Sequence, residues 1–130
     1  MLLSAVSPPI DRTPGARAAA ISNLLVRLMS EYTGRGPTKA RTYINEDLVT
    51  VVLQDTLTRG EQSLVRDGRA SLVLDTRKAY QQTMRADMVA GVEEIMQRKV
   101  MAFLSDNHIE PDVAVESFVL TPLPSDGPKA

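Results

Sequence analysis

YTGRGPTKARTYI, residues 32 to 44, decides how the fold is read. It closes an amphipathic stretch, sets a glycine on each side of Arg35, adds Pro37 and then runs into β-favouring residues. Upstream, Ile21, Leu24, Leu25, Leu28, Met29 and Tyr32 recur at three- and four-residue steps, which predicts a helix over Ala16 to Tyr32 with one apolar face. Gly34 can stop that helix in the left-handed region, and Pro37 pushes Gly36 toward extended geometry. The stretch is therefore a turn from helix into sheet. It is also a candidate anion site: Gly34 and Gly36 permit close approach, while Arg35, Lys39 and Arg41 offer charge-assisted donors suited to a carboxylate or phosphate. The plainer alternative is a chain reversal whose cations pair with nearby acids. Neither the phosphate loop nor the dinucleotide fingerprint fits. Lys39 is followed by Ala40 instead of a hydroxyl, and the glycines come after a helix and before a strand, the reverse of the order required.

Downstream, Arg41 to Ile44 and the run LVTVVL, residues 48 to 53, predict a hairpin turning at Asn45, Glu46 and Asp47. Thr58 and Glu61 have capping-box spacing before a short helix that Gly68 can end. Val73, Tyr80, Met84, Met88, Val92 and Ile95 predict a long helix from about Ala70 to Arg98. VMAFLS, residues 100 to 105, and VAVESFVL, residues 113 to 120, read as strands separated by the turn-prone loop DNHIEPD. The expectation is an α+β fold in the order α-β-β-α-α-β-β, with three helices and a mostly antiparallel sheet of four strands, or three if residues 41 to 53 form one bent strand. A single domain is expected over residues 15–121, with proline-rich flexible tails at 1–14 and 122–130. Both alternating sets in LVTVVL and in VMAFLS are largely apolar, whereas a sheet with one wet face alternates cleanly. Something should shield both faces: either the first helix crosses to the side opposite the long one, or a second subunit covers it, and a homodimer is the expectation.

With 130 residues, no cysteine and a formal net charge of -1, the chain is sized for one core. It has no thiolate chemistry and no global positive field for nucleic acid, whose binding its 4% aromatic content also disfavours. These features fit a cytoplasmic protein, and no apolar run is long enough to span a membrane. Arg59, Arg66, Arg69, Arg77, Arg85, Arg98 and Lys99 are interspersed with acids and read as a solvated helix surface. In the DNHIEPD loop, Asp106, Asn107, His108 and Asp112 are candidate ligand contacts, although neither H-E-x-x-H nor an EF-hand rhythm is present and a polar turn is the simpler reading. No nucleophile motif surrounds any serine, so no catalytic residues, resident metal or cofactor are assigned. Met84, Met88 and Met96 read as core or interface filler.

Four segments together give a fairly specific resemblance. They are EYTGRGPTKAR (31–41), DLVTVVLQDTLTRGE (47–61), AYQQTMR (79–85) and VEEIMQRKVMAFLSDNHIEPDVAVESFVL (92–120). The chain resembles the MpsC-like family, named for the C component of a Na+-translocating, membrane-potential-generating system and formerly a domain of unknown function. The resemblance implies association with a membrane ion or inorganic-carbon uptake system, and hence a protein partner at the membrane. It brings no accepted catalytic set and no cofactor. Gly34, Arg35, Gly36, Pro37, Lys39, Arg41, Ser105 and Asp106 fall on the family pattern. Met96-Gln97-Arg98 stands where the family often has Thr-Gly-Arg, which leaves no glycine to end the long helix before Lys99. Together these readings describe an accessory or regulatory protein-binding domain. The rivals are a small-anion or nucleotide sensor at Gly34 to Arg41 and, more remotely, an enzyme using the loop from Asp106 to Asp112.

Overall fold

A computed structural model describes residues 13–123; the expected tails at 1–14 and 122–130 lie largely outside the described residues. The elements are α1 (Pro14–Thr33), β1 (Lys39–Asn45), β2 (Leu48–Gln54), α2 (Arg59–Arg66), α3 (Ala70–Met96), β3 (Val100–His108) and β4 (Val113–Leu120). This is the α-β-β-α-α-β-β order of an α+β fold. Its four strands form one antiparallel sheet in the order β1-β2-β4-β3, so two hairpins meet where β2 pairs with β4.

Local chemistry explains the boundaries. Pro14 occupies the first turn of α1, where its missing N–H costs nothing, and the Thr13 hydroxyl accepts from the Ala16 amide. Gly34 ends α1 at φ 82, donating its amide to the Ser30 carbonyl. Thr58 and Glu61 form a reciprocal capping box at α2. The long helix stops without a glycine: Gln97 itself takes the left-handed conformation, φ 55 and ψ 41, and donates to the Glu93 carbonyl.

The core is one layer between the helices and one side of the sheet. Ile21, Leu25 and Met29 of α1 and Met84, Met88 and Val92 of α3 pack on Val49, Val51 and Leu53 of β2 and Phe118 and Leu120 of β4. The methionines read as filler, Met96 included, are all buried here. Helix α1 touches α3 and lies along β1, where Ser22 Oγ sits 2.8 Å from Thr42 Oγ1, while α3 lies along β3.

One alternative falls away and one expectation is corrected. The first helix does not cross to the far side of the sheet. Its apolar stripe shares one core with the stripe of α3, so the described helices cover a single face. Nor is DNHIEPD a loop throughout. Asp106, Asn107 and His108 belong to β3, paired with Val115, Ala114 and Val113, and only residues 109–112 turn the chain. The backbone ladder offered by β4 recruits residues whose own preference is for turns.

Candidate functional site

The GRG stretch is built into the fold. Gly34 is the α1 stop. A Cβ on Gly36 would stand 3.2 Å from the Val26 carbonyl oxygen and 3.3 Å from Val26 Cγ1, so glycine here lets the chain lie against α1. Arg35 turns to Asp55 at the end of β2, with Nη2 2.7 Å from Oδ2. Lys39 and Arg41 instead rise from the helix-free side of β1, where with Tyr43, Val52 and Gln54 they line a depression of about 590 Å³ that does not include Arg35.

The other candidates are also distributed. The Asp112 carboxylate accepts from the Thr56 hydroxyl and the Leu57 amide, both at 2.9 Å, which fixes the approach to α2. His108 Nδ1 lies 2.8 Å from the Pro111 carbonyl, and Asp106 Oδ1 accepts the Asn107 amide. Asn107 alternates to the helix side of the sheet while Asp106 and His108 face away from it. Among the described residues no group of three metal-ligating side chains converges.

Two further features stand out, the first of them without counterpart in the sequence reading. One is a buried polar network. Arg77, only 2% exposed, donates from Nε to Glu61 Oε2 at 2.9 Å and from Nη2 to the Thr56 carbonyl at 2.6 Å. Arg77 was read as a solvated cation, yet it stands four residues after Val73 on the very stripe that α3 buries; that spacing was the available signal. Arg98 is likewise drawn in, bonding Asp47 and the Thr121 carbonyl. Near Arg77 lies Glu116, 1% exposed, with Oε1 unpartnered. Burial pushes its carboxyl up to about 7; the Ser105 hydroxyl and the Arg77 charge oppose that rise, and the Asp106 charge adds to it. These groups brace the helices on the sheet.

The other feature is the helix-free face itself. Strand register lays its side chains out in rows running from β1 to β3. The two central rows are Arg41, Val52, Val115, Asp106 and then Tyr43, Thr50, Ser117, Leu104; Lys39, Gln54, Val113, His108 lie at one end and Asn45, Leu48, Val119, Ala102 at the other. Leu104 is 59% exposed, Tyr43 53% and Leu48 41%, with half-buried valines between them. Exposed apolar groups gathered on one face of a sheet in this way mark a contact surface. Val52 and Val115 stand at its centre beside the hydroxyls of Thr50 and Ser117, and its charges stand at the margins, the anatomy of a protein interface.

Among the described residues no helix is long and apolar enough to cross a membrane. Comparison with known proteins adds two positive findings. The family described as "Na+-translocating membrane potential-generating system (MpsC)" matches residues 13–122. A protein of Bacillus subtilis (strain 168) named "Uncharacterized protein YrhF" is 28% identical over 100 residues, covering 75% of this chain and 82% of that one. No solved structure matches. The chain belongs to the MpsC family.

Proposed function

We propose that this member of the MpsC family is an accessory, protein-binding component of the membrane system for which the family is named, and that the open face of its sheet is its working surface. The observation that carries the reading is the one-sided fold: both long helices lie on one face, and on the other no described residue covers Tyr43, Leu48 and Leu104. Antiparallel sheets that face water set polar residues on the wet side. Here Val52, Val113, Val115 and Val119 take half of those places on the two central strands, beside Leu48, Thr50, Gln54 and Ser117. The depression at Lys39 and Arg41 lies at the margin of the same surface, and those cations serve as its rim.

Thr50, at the centre of the face, gives the test. Thr50→Glu sets a carboxylate where a partner would have to bury it unpaired, at a cost of several kcal/mol. In cell extract the wild type is expected to run in an assembly larger than the 14.2 kDa chain, and the variant, with unchanged circular dichroism, at the size of the free chain. An assembly of the same size for both would overturn the reading.

A further inference from the structure

The open face carries opposite charges at its two edges. From that arrangement we propose that it is covered by the same face of a second copy of this chain, about a two-fold axis running along the strands. The inference rests on the reading that this face is a binding surface, and it names what binds there.

Strands β1 and β3 are the two edges of the sheet, and Arg41 and Asp106 stand at opposite ends of one row. Both are exposed, and neither has an ion-pair partner among the described residues. A two-fold axis along the strands lays β1 over β3 of the second copy and sets each row on its own reverse. Arg41 then meets Asp106 of the second copy, and by symmetry the pair forms twice. Tyr43 meets Leu104, Val52 meets Val115 and the Thr50 hydroxyl meets that of Ser117, so the middle of the face is matched to itself. An axis across the strands would instead lay β1 on β1, setting Arg41 on Tyr43, Asp106 on Leu104 and Lys39 on Asn45, with no charge meeting its opposite. Charge complementarity therefore selects the partner and the axis together.

The geometry allows the pairing. Stacked sheets lie about 10 Å apart and cross at about 30°. With strands about 4.8 Å apart, an edge strand is about 7 Å from the centre line, so the crossing displaces facing edge residues by about 4 Å, within the reach of an arginine. Lys39 would stand over the end of β3 that carries His108 and leads into the turn with Glu110.

Sedimentation equilibrium of the purified chain at micromolar concentration is expected to show twice the 14.2 kDa mass. Arg41→Asp and Asp106→Arg should each weaken self-association roughly tenfold or more, and the two together in one chain should restore most of the loss. A monomeric wild type, or a double variant no better than the singles, would overturn the proposal. The chain has no cysteine, so a second readout is clean. A short bis-maleimide should cross-link a mixture of Tyr43→Cys and Leu104→Cys chains but neither alone, whereas cross-linking of Tyr43→Cys to itself would refute the axis. If the purified chain is monomeric while Thr50→Glu still shrinks the assembly in extract, the occupant is another protein and only the second-copy inference fails. If the assembly ignores Thr50→Glu, the reading of the face fails with it.

Discussion

Replacing Glu116 by Gln should stabilise the protein, and only toward alkaline pH. The carboxyl lies on the buried face of β4, opposite Ser105 on β3, and is 1% exposed. Burial raises its pKa from 4.5 to about 7 in spite of the Ser105 hydroxyl and Arg77. Between those values the folded chain holds a proton that the unfolded chain has released, so stability falls as pH rises from about 4.5 and levels off above about 7. A gap of about 2.5 pH units at about 1.4 kcal/mol each gives a loss of about 3 kcal/mol once the group is charged. Glutamine keeps the shape and cannot ionise. Urea unfolding at pH 8 should therefore show the variant more stable by about 3 kcal/mol, and at pH 5 by less than about 1 kcal/mol. A difference that is the same at both pH values would refute the reasoning, because a change in packing or hydrogen bonding alone has no reason to follow the titration of one carboxyl.

Arg77→Met should cost about 3–5 kcal/mol by urea unfolding, since it leaves the Glu61 carboxylate and the Thr56 carbonyl in the interior without their donor. A loss below about 1 kcal/mol would mean that water reaches Glu61. Gly91→Ala should destabilise by about 1–3 kcal/mol, although alanine is the better helix former by about 1 kcal/mol. Its new Cβ would fall 2.3 Å from Leu24 Cδ2 and 2.9 Å from Cδ1, so α1 and α3 would have to part or Leu24 repack; a gain in thermal midpoint would show that the leucine yields freely.

What was legible in the sequence was what is set over short stretches. The stripe of α1, the stop at Gly34 and the box formed by Thr58 and Glu61 each depend on residues within a few turns of one another. The missing pieces depend on distant ones. Asp106 to His108 become strand only because Val113 to Val115 are there to pair with. Arg77 turns inward because Glu61, on another helix, supplies the opposite charge. Gln97 takes a glycine's conformation at the end of α3, and the chain then enters β3 without a glycine. The candidate anion residues were adjacent in sequence, but strand alternation and the Asp55 ion pair send Arg35 one way and Lys39 and Arg41 another. Apolar residues on both faces of the strands raised the expectation that the second face is covered. Only the register showed which residues share that face and where its charges stand.

Alkylation of single cysteines in intact cells tests most directly whether that face is covered. Thr50→Cys lies at the centre of the open face, and Thr83→Cys on the exposed side of α3 serves as the reference. If the face is buried in the working assembly, a small maleimide should label position 50 at least about tenfold more slowly than position 83, and the two rates should converge once the protein is unfolded in urea. Equal rates in the cell would contradict the account.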